Sequence, residues 1–259
     1  MEDLSKCIRS LQKSDYENYE IIVVENNSEE KDTFTYYDRI RSEKVKIITW
    51  NGTFNYSAIN NFAVRHATGD YLLFLNNDTE AIREDLMSEM LSNCQRKQVG
   101  AVGAKLYYPD HTVQHAGVVV GIGGVAGNLF TKLPGEFSGY MHKACLQQNL
   151  SAVTAACMMV KKEVFEQVNG FTEELAVAFN DVDFCLKVRE KGWLVVYDPY
   201  AELVHYESKT RGAEDTKEKI ERFQKEIAYM KNRWETVLEA GDPMYNPNLT
   251  LKKQDYSLR

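Results

Sequence analysis

Residues 71–80 read Tyr71-Leu-Leu-Phe-Leu-Asn-Asn-Asp-Thr-Glu80. A mostly apolar run of five passes directly into Asn76, Asn77 and Asp78. The run predicts a buried strand, and the polar cluster then sits at its C-terminal end, where open α/β sheets bind ligands. A carboxylate with amide neighbours suits a hard cation, which prefers oxygen ligands. Taken alone, however, Asn-Asn-Asp-Thr reads more readily as a turn and helix cap, because Asn and Asp dominate turns. The rest of the chain decides between the two.

On the N-terminal side, Leu4, Ile8 and Leu11 fall at helical spacing over residues 4–11. Ile21-Ile-Val-Val24 is a β-branched strand that ends in Glu25-Asn26-Asn27-Ser28, a first strand-to-polar-loop junction. Residues 33–43 suit a helix, and residues 45–49 a second strand. The aromatic loop Trp50–Asn55 follows. Ser57 is placed to cap a helix that presents Ile59, Phe62, Ala63 and His66 on one face and stops at Gly69. Beyond the opening stretch, Leu86, Met87, Met90, Leu91 and Cys94 line another helix, and residues 99–108 are strand-like. Strands alternating with helices predict an α/β fold with a mostly parallel central sheet flanked by helices.

The texture changes after Val113. Gly121, Gly123 and Ala126 fit a dinucleotide pattern, but Pro134 and further glycines follow instead of a helix N-terminus to receive a pyrophosphate. A loop or hairpin is the better reading. Residues 151–160 form a small-residue buried strand, and 162–168 a short helix. The segment Phe179-Asn-Asp181-Val-Asp183-Phe-Cys-Leu opens a helix that ends at Gly192. Residues i and i+2 do not share a helix face, so one aspartate can cap while the other points into a site. Two extended segments follow, the second ending at His205. From Thr216 a long amphipathic helix carries Ile220, Phe223, Ile227, Met230, Trp234 and Leu238 on one stripe, which packs on the domain or on a partner. The expected division is therefore residues 1–212 as the main domain and 213–259 as a helical extension and tail.

The 259 residues, 44% hydrophobic and 27% charged, suit one large domain with an appendage. A net charge of −7 argues against a broad nucleic-acid surface. Five cysteines with no C-x-x-C pair read as buried thiols of a reducing compartment. No stretch reaches the roughly 18 apolar residues of a membrane span. The expected location is cytoplasmic, with work at the inner face of a membrane compatible.

In sum the chain resembles the family 2 glycosyltransferases, and within them bacterial polysaccharide-assembly, rhamnosyltransferase-like members. Four stretches carry the resemblance, in the family's order. Tyr19–Ser28 is similar to the second-strand nucleotide motif, and Leu75-Asn-Asn-Asp78 to the Asp-x-Asp metal motif. Phe179–Leu186 is similar to the catalytic-base motif, and His205 falls where the family often supplies a metal-binding histidine. The resemblance covers roughly residues 4–212.

It implies a GT-A fold and an inverting transfer from a nucleotide-diphosphate sugar, UDP- or dTDP-linked, to a saccharide or lipid-linked saccharide. Asp78 and His205 would hold Mn²⁺ or Mg²⁺, Asp181 would be the general base, and Asp183 would orient or touch the acceptor. Glu25, Asn26 and Asn77 would meet the nucleotide, and Arg211 or Lys209 the diphosphate. Asn76 and Asn77 replace acidic positions of many relatives, which leaves the charge at the metal to Asp78. The resemblance also implies an apolar strand ahead of the 4–11 helix, so a truncated or mis-assigned start is expected, together with exposed sheet edges that invite a second copy. A nucleotidyltransferase or an inactive binding module are the rival readings.

Overall fold

The computed structural model describes residues 1–206 and 216–259. In chain order its N-terminal half comprises α1 (Glu2–Leu11), β1 (Ile21–Glu25), α2 (Lys31–Ile40), β2 (Val45–Thr49), α3 (Tyr56–Val64), β3 (Tyr71–Leu75), β4 (Thr79–Ala81), α4 (Leu86–Cys94) and β5 (Val99–Tyr107). A strand-rich excursion follows with β6 (Val113–His115), β7 (Val118–Val120), β8 (Ala126–Asn128) and β9 (Gln148–Leu150). The chain then returns through β10 (Cys157–Lys161), α5 (Lys162–Gln167), α6 (Asn180–Glu190), β11 (Leu194–His205), α7 (Lys217–Arg233) and α8 (Glu235–Ala240).

The α/β layering that the sequence predicts is present. Its strand directions are more mixed than the alternation of strands and helices implies. The main sheet has the order β3-β10-β5-β11-β4, with β6 paired to β5 and β9 to β11. Only β5 and β11 are parallel within it, and β1 and β2 make a separate parallel pair. The reversal comes from the excursion between β5 and β10. Parallel neighbours need a crossover of a dozen or more residues, usually a helix, whereas this segment is built of hairpins and brings β10 back antiparallel to both β3 and β5.

Burial accounts for the strands' composition. All nine residues of β5 are buried, as expected of a central strand covered on both faces. Its glycines and alanines allow close approach: a Cβ on Gly103 would lie 2.3 Å from Val153 Cβ. One apolar cluster gathers α6, α5, the excursion strands and the C-terminal segment. A second lies beneath α1 and α4, where Ile21 of β1 and Leu73 and Leu75 of β3 join it. Glu20, just ahead of β1, accepts at 2.7 Å from both the backbone N–H and the hydroxyl of Thr68. These contacts hold the two-stranded pair against the main sheet.

Two local expectations are corrected. Asn55, not Ser57, caps α3: its backbone is extended and its side chain accepts from Ala58 N, while Ser57 donates to the Leu175 carbonyl. The two segments read after Gly192 are one strand, β11, which continues across a register shift between Asp198 and Glu202. The glycine-rich stretch is the β7–β8 hairpin, in keeping with rejection of a dinucleotide site. The amphipathic C-terminal helix packs on the domain, with Met230 and Trp234 in the main core and Glu226 buried against the loop before α6.

Candidate active site

Asp78 and His205 are brought together by strand pairing. Thr79, the first residue of β4, lies opposite His205 at the end of β11, and Tyr206 N donates to the Asp78 carbonyl at 2.8 Å. The Asp78 carboxylate Oδ1 is thereby 3.1 Å from His205 Nε2. Both side chains are largely buried. Asn76 adds its amide nitrogen 3.3 Å from the same Nε2. On the far side of the ring, Nδ1 faces Gln114 Oε1 at 2.6 Å. The turn that presents Asp78 is fixed by Thr79, whose hydroxyl donates to the Asn76 carbonyl at 2.8 Å. Asn77 is exposed at that turn.

Asp181 approaches from the other side of β10. Asn76 N donates to the Ala156 carbonyl, and the neighbouring Ala155 N donates to Asp181 Oδ2 at 3.2 Å. One short backbone segment therefore separates the amide beside the Asp78–His205 pair from the Asp181 carboxylate. The second oxygen accepts from Val182 N at 2.8 Å. Burial pushes the Asp181 pKa up, and the hydrogen bonds from Ala155, Thr154 and Val182 partly oppose that rise. Phe179, immediately before α6, has a left-handed backbone at φ 60°. A bulky residue is rare there and signals a conformation imposed from outside. The imposition is visible: Phe179 stacks on Phe223 of α7 at 5.7 Å, and Glu226 of α7 accepts from Val177 N and Ala178 N.

The remaining expected residues are placed differently. Asp183 is fully buried. Its oxygens accept from Thr172 at 2.6 Å and from the Trp234 indole at 2.9 Å, with the Lys187 ammonium 3.4 Å away. Its carboxylate is turned into the core and keys α7 to α6; it does not face an acceptor. The reason is helical spacing, since residue i+2 points away from Asp181. Glu25 is buried and accepts from Ser28 N at 2.6 Å. Asn26 donates to the carbonyls of Trp50 and Gly52. Both shape the loops at the end of the β1–β2 pair. Arg211 and Lys209 lie outside the described residues.

Sequence reasoning missed three contributors. Gln114 Oε1 lies 2.6 Å from His205 Nδ1. Tyr56 donates to the Ala155 carbonyl at 2.9 Å, bracing the backbone that meets Asp181. His115 receives Thr154 N on Nε2 at 3.4 Å and faces Asn128 Oδ1 through Nδ1 at 2.8 Å; burial lowers its pKa to about 4, which keeps the ring neutral near pH 7. The available signal was two adjacent polar residues, Gln114 and His115, in the short β6 between Val113 and the apolar β7. Buried polar groups have partners, and here those partners are the site.

The donor set fits a divalent ion. Cis ligands of an octahedral ion at about 2.1 Å lie about 3.0 Å apart, close to the spacing of Asp78 Oδ1 and His205 Nε2. No cluster of three or more His, Cys, Asp or Glu occurs among the described residues, so the shell would have to be completed by a ligand such as a diphosphate and by water.

The family model described as "Glycosyl transferase family 2" matches residues 2–168. The chain belongs to glycosyltransferase family 2. It is 50% identical over 246 residues to "Uncharacterized protein y4gI" of Sinorhizobium fredii, covering 94% of this chain and 27% of that protein. It is 40% identical over 250 residues to "O-antigen biosynthesis protein RfbC" of Myxococcus xanthus, covering 96% of this chain and 19% of that protein. The chain thus spans about a quarter or less of the length of these relatives. Among solved structures it resembles GalNAc-T7 in complex with UDP, GalNAc and Mn²⁺, at a TM-score of 0.70 and 11% identity, over 92% of this chain and 46% of that one. At that identity the likeness shows the fold, which is the GT-A fold expected of the family. Asp78 and His205 lie together, and Asp181 meets the neighbouring backbone at Ala155. No helix among the described residues is long and apolar enough to cross a membrane.

Proposed function

We propose that the chain transfers a sugar, with inversion, from a UDP- or dTDP-linked donor to a hydroxyl of a saccharide or lipid-linked saccharide in cell-surface polysaccharide synthesis. The observation that carries this reading is the convergence of the Asp78–His205 pair and the Asp181 carboxylate on the two sides of Ala155–Ala156. A departing nucleoside diphosphate needs its charge stabilised, and an attacking hydroxyl needs a base. The site offers one group of residues for each task.

Asp78 and His205 would hold Mn²⁺ or Mg²⁺, which when bound supplies Lewis-acid stabilisation of the leaving diphosphate. Asp181 accepts the acceptor's hydroxyl proton at a carboxylate oxygen. It is held in place by backbone N–H groups and raised in basicity by burial, which brings a carboxylate closer to the ideal for a base at neutral pH. Glu25 and Asn26 set the shape of the loops beside β1, and the nucleoside is expected to rest on that shape rather than on the Glu25 carboxylate. Similarity to a protein named for O-antigen biosynthesis supports a polysaccharide acceptor. The test is a panel of nucleotide sugars scored for Mn²⁺-dependent release of nucleoside diphosphate, alone and with saccharide acceptors. Release from one donor, accelerated by an acceptor, is the expected result. A folded chain that neither binds nor cleaves any donor with or without Mn²⁺ rules the reading out.

A further inference from the structure

We infer that Gln114 is the positioning residue that makes His205 a cation ligand: its carboxamide holds the imidazole as the Nδ1–H tautomer and leaves the Nε2 lone pair facing Asp78. This rests on the reading of Asp78 and His205 as the cation seat.

The backbone carbonyl of His205 has no proton to give. It can only accept, and the side-chain nitrogen of Gln114 lies 3.4 Å from it. That contact decides which end of the carboxamide carries the NH₂ group. Oε1 is then the atom that faces His205 Nδ1 at 2.6 Å. An amide oxygen accepts and never donates, so Nδ1 carries the proton. In the neutral ring Nε2 is therefore the acceptor. A second amide contact is in keeping with this. Asn76 directs its side-chain nitrogen at Nε2 across 3.3 Å, and an N–H there must meet a lone pair.

In the neutral ring Nε2 and Asp78 Oδ1 are thus two acceptors 3.1 Å apart, an arrangement that a cation between them, whether a bound metal ion or a second ring proton, would satisfy. Gln114 is 5% exposed and stands on the opposite side of the ring, so it does not reach that charge itself. Its strand β6 pairs with β5, and β5 pairs with β11, which carries His205. One sheet therefore fixes both the ring and the group that orients it. Partners of this kind settle the tautomer and the direction of a ligating histidine, and their loss usually costs about 10–100-fold in metal affinity.

The experiment reads the tautomer in the metal-free chain by long-range ¹H–¹⁵N NMR at alkaline pH. The His205 signals are assigned by their loss in His205→Ala. The wild type should show a protonated Nδ1 and an unprotonated Nε2. Gln114→Leu should mix the tautomers and weaken Mn²⁺ binding about tenfold or more, measured by electron paramagnetic resonance with uridine diphosphate present. Gln114→Glu keeps an acceptor opposite Nδ1. It should retain the wild-type tautomer and hold Mn²⁺ within about threefold of the wild type or more tightly, which distinguishes orientation from mere packing. A wild-type ring protonated at Nε2 overturns the inference. So does a Gln114→Leu chain with unchanged tautomer and affinity. A wild type that shows the Nδ1–H ring yet binds no Mn²⁺ overturns instead the reading of Asp78 and His205 as a cation seat, so the two failures are told apart.

Discussion

Trp234 Nε1 donates to Asp183 Oδ1 across 2.9 Å in the buried core, and this bond ties the end of α7 to α6, the helix whose first turn carries Asp181. Thr172 satisfies the other oxygen, and burial holds the nearby Lys187 below the usual lysine range. A hydrogen bond to a charged group contributes about 1.5–3 kcal/mol. Trp234→Phe keeps apolar bulk in the core and removes the donor. It should lower stability in urea unfolding by about that amount, while Mn²⁺ affinity stays at the wild-type value because the Asp78–His205 pair lies on other elements.

The Asp78–His205 pair predicts a different loss. Both side chains make polar contacts at the strand ends rather than apolar packing, so truncating either should leave the apolar core in place. His205→Ala and Asp78→Ala should each abolish the enhancement of uridine diphosphate binding by Mn²⁺ in isothermal titration, with the thermal midpoint close to that of the wild type. Wild-type Mn²⁺ dependence in either variant would place the cation elsewhere.

Much of this site was legible in the sequence because its residues end apolar runs. The five residues before Asn76 read as a strand, so Asp78 had to emerge just past its end; the strand is half-buried at the edge of the main sheet rather than buried throughout, with Leu72 and Phe74 inward and Tyr71 exposed. His205 closed another strand in the same way. What was hidden depended on pairing. Strand direction within the main sheet followed from the hairpins after Tyr108, which local periodicity does not describe. Asp183 looked chemically equivalent to Asp181, but helical spacing sends the two carboxylates in different directions and gives Asp183 to Thr172 and Trp234. Gln114 had no motif at all. Its role comes from the sheet neighbours that set it against His205, 91 residues away in sequence.

Gly103 shows how closely the centre of the sheet is packed. A Cβ there would come within 2.3 Å of Val153 Cβ and 2.6 Å of a Val153 methyl. Gly103 sits on β5 opposite Met158 and Tyr197 of the flanking strands, so the backbone has little freedom to move aside. Gly103→Ala should destabilise the chain by about 1–3 kcal/mol, the usual range for overpacking. Adding Val153→Ala removes the two colliding methyls and should recover part of that loss in denaturant unfolding. An additive double mutant would mean that the contact with Val153 is not the source of the cost.

Asp181 connects the site's electrostatics to a pH profile. A general base works as the carboxylate, and burial raises the pKa of this one. The rate should therefore fall as the solution is acidified through a pH above the ordinary aspartate value of about 3.9, and be restored on raising the pH. Asp181→Asn should cost about 10²–10⁴ in kcat, leave uridine diphosphate affinity near wild type, and erase that acid limb from the residual rate. Glu226 gives the control for geometry. Its two oxygens receive Val177 N and Ala178 N, just before the strained Phe179 that leads into α6. Glu226→Gln keeps one acceptor and substitutes an NH₂ for the other. It should reduce kcat by displacing Asp181 while leaving the acid limb in place, because the base itself survives. Loss of that limb in Glu226→Gln but not in Asp181→Asn would transfer the role of base away from Asp181.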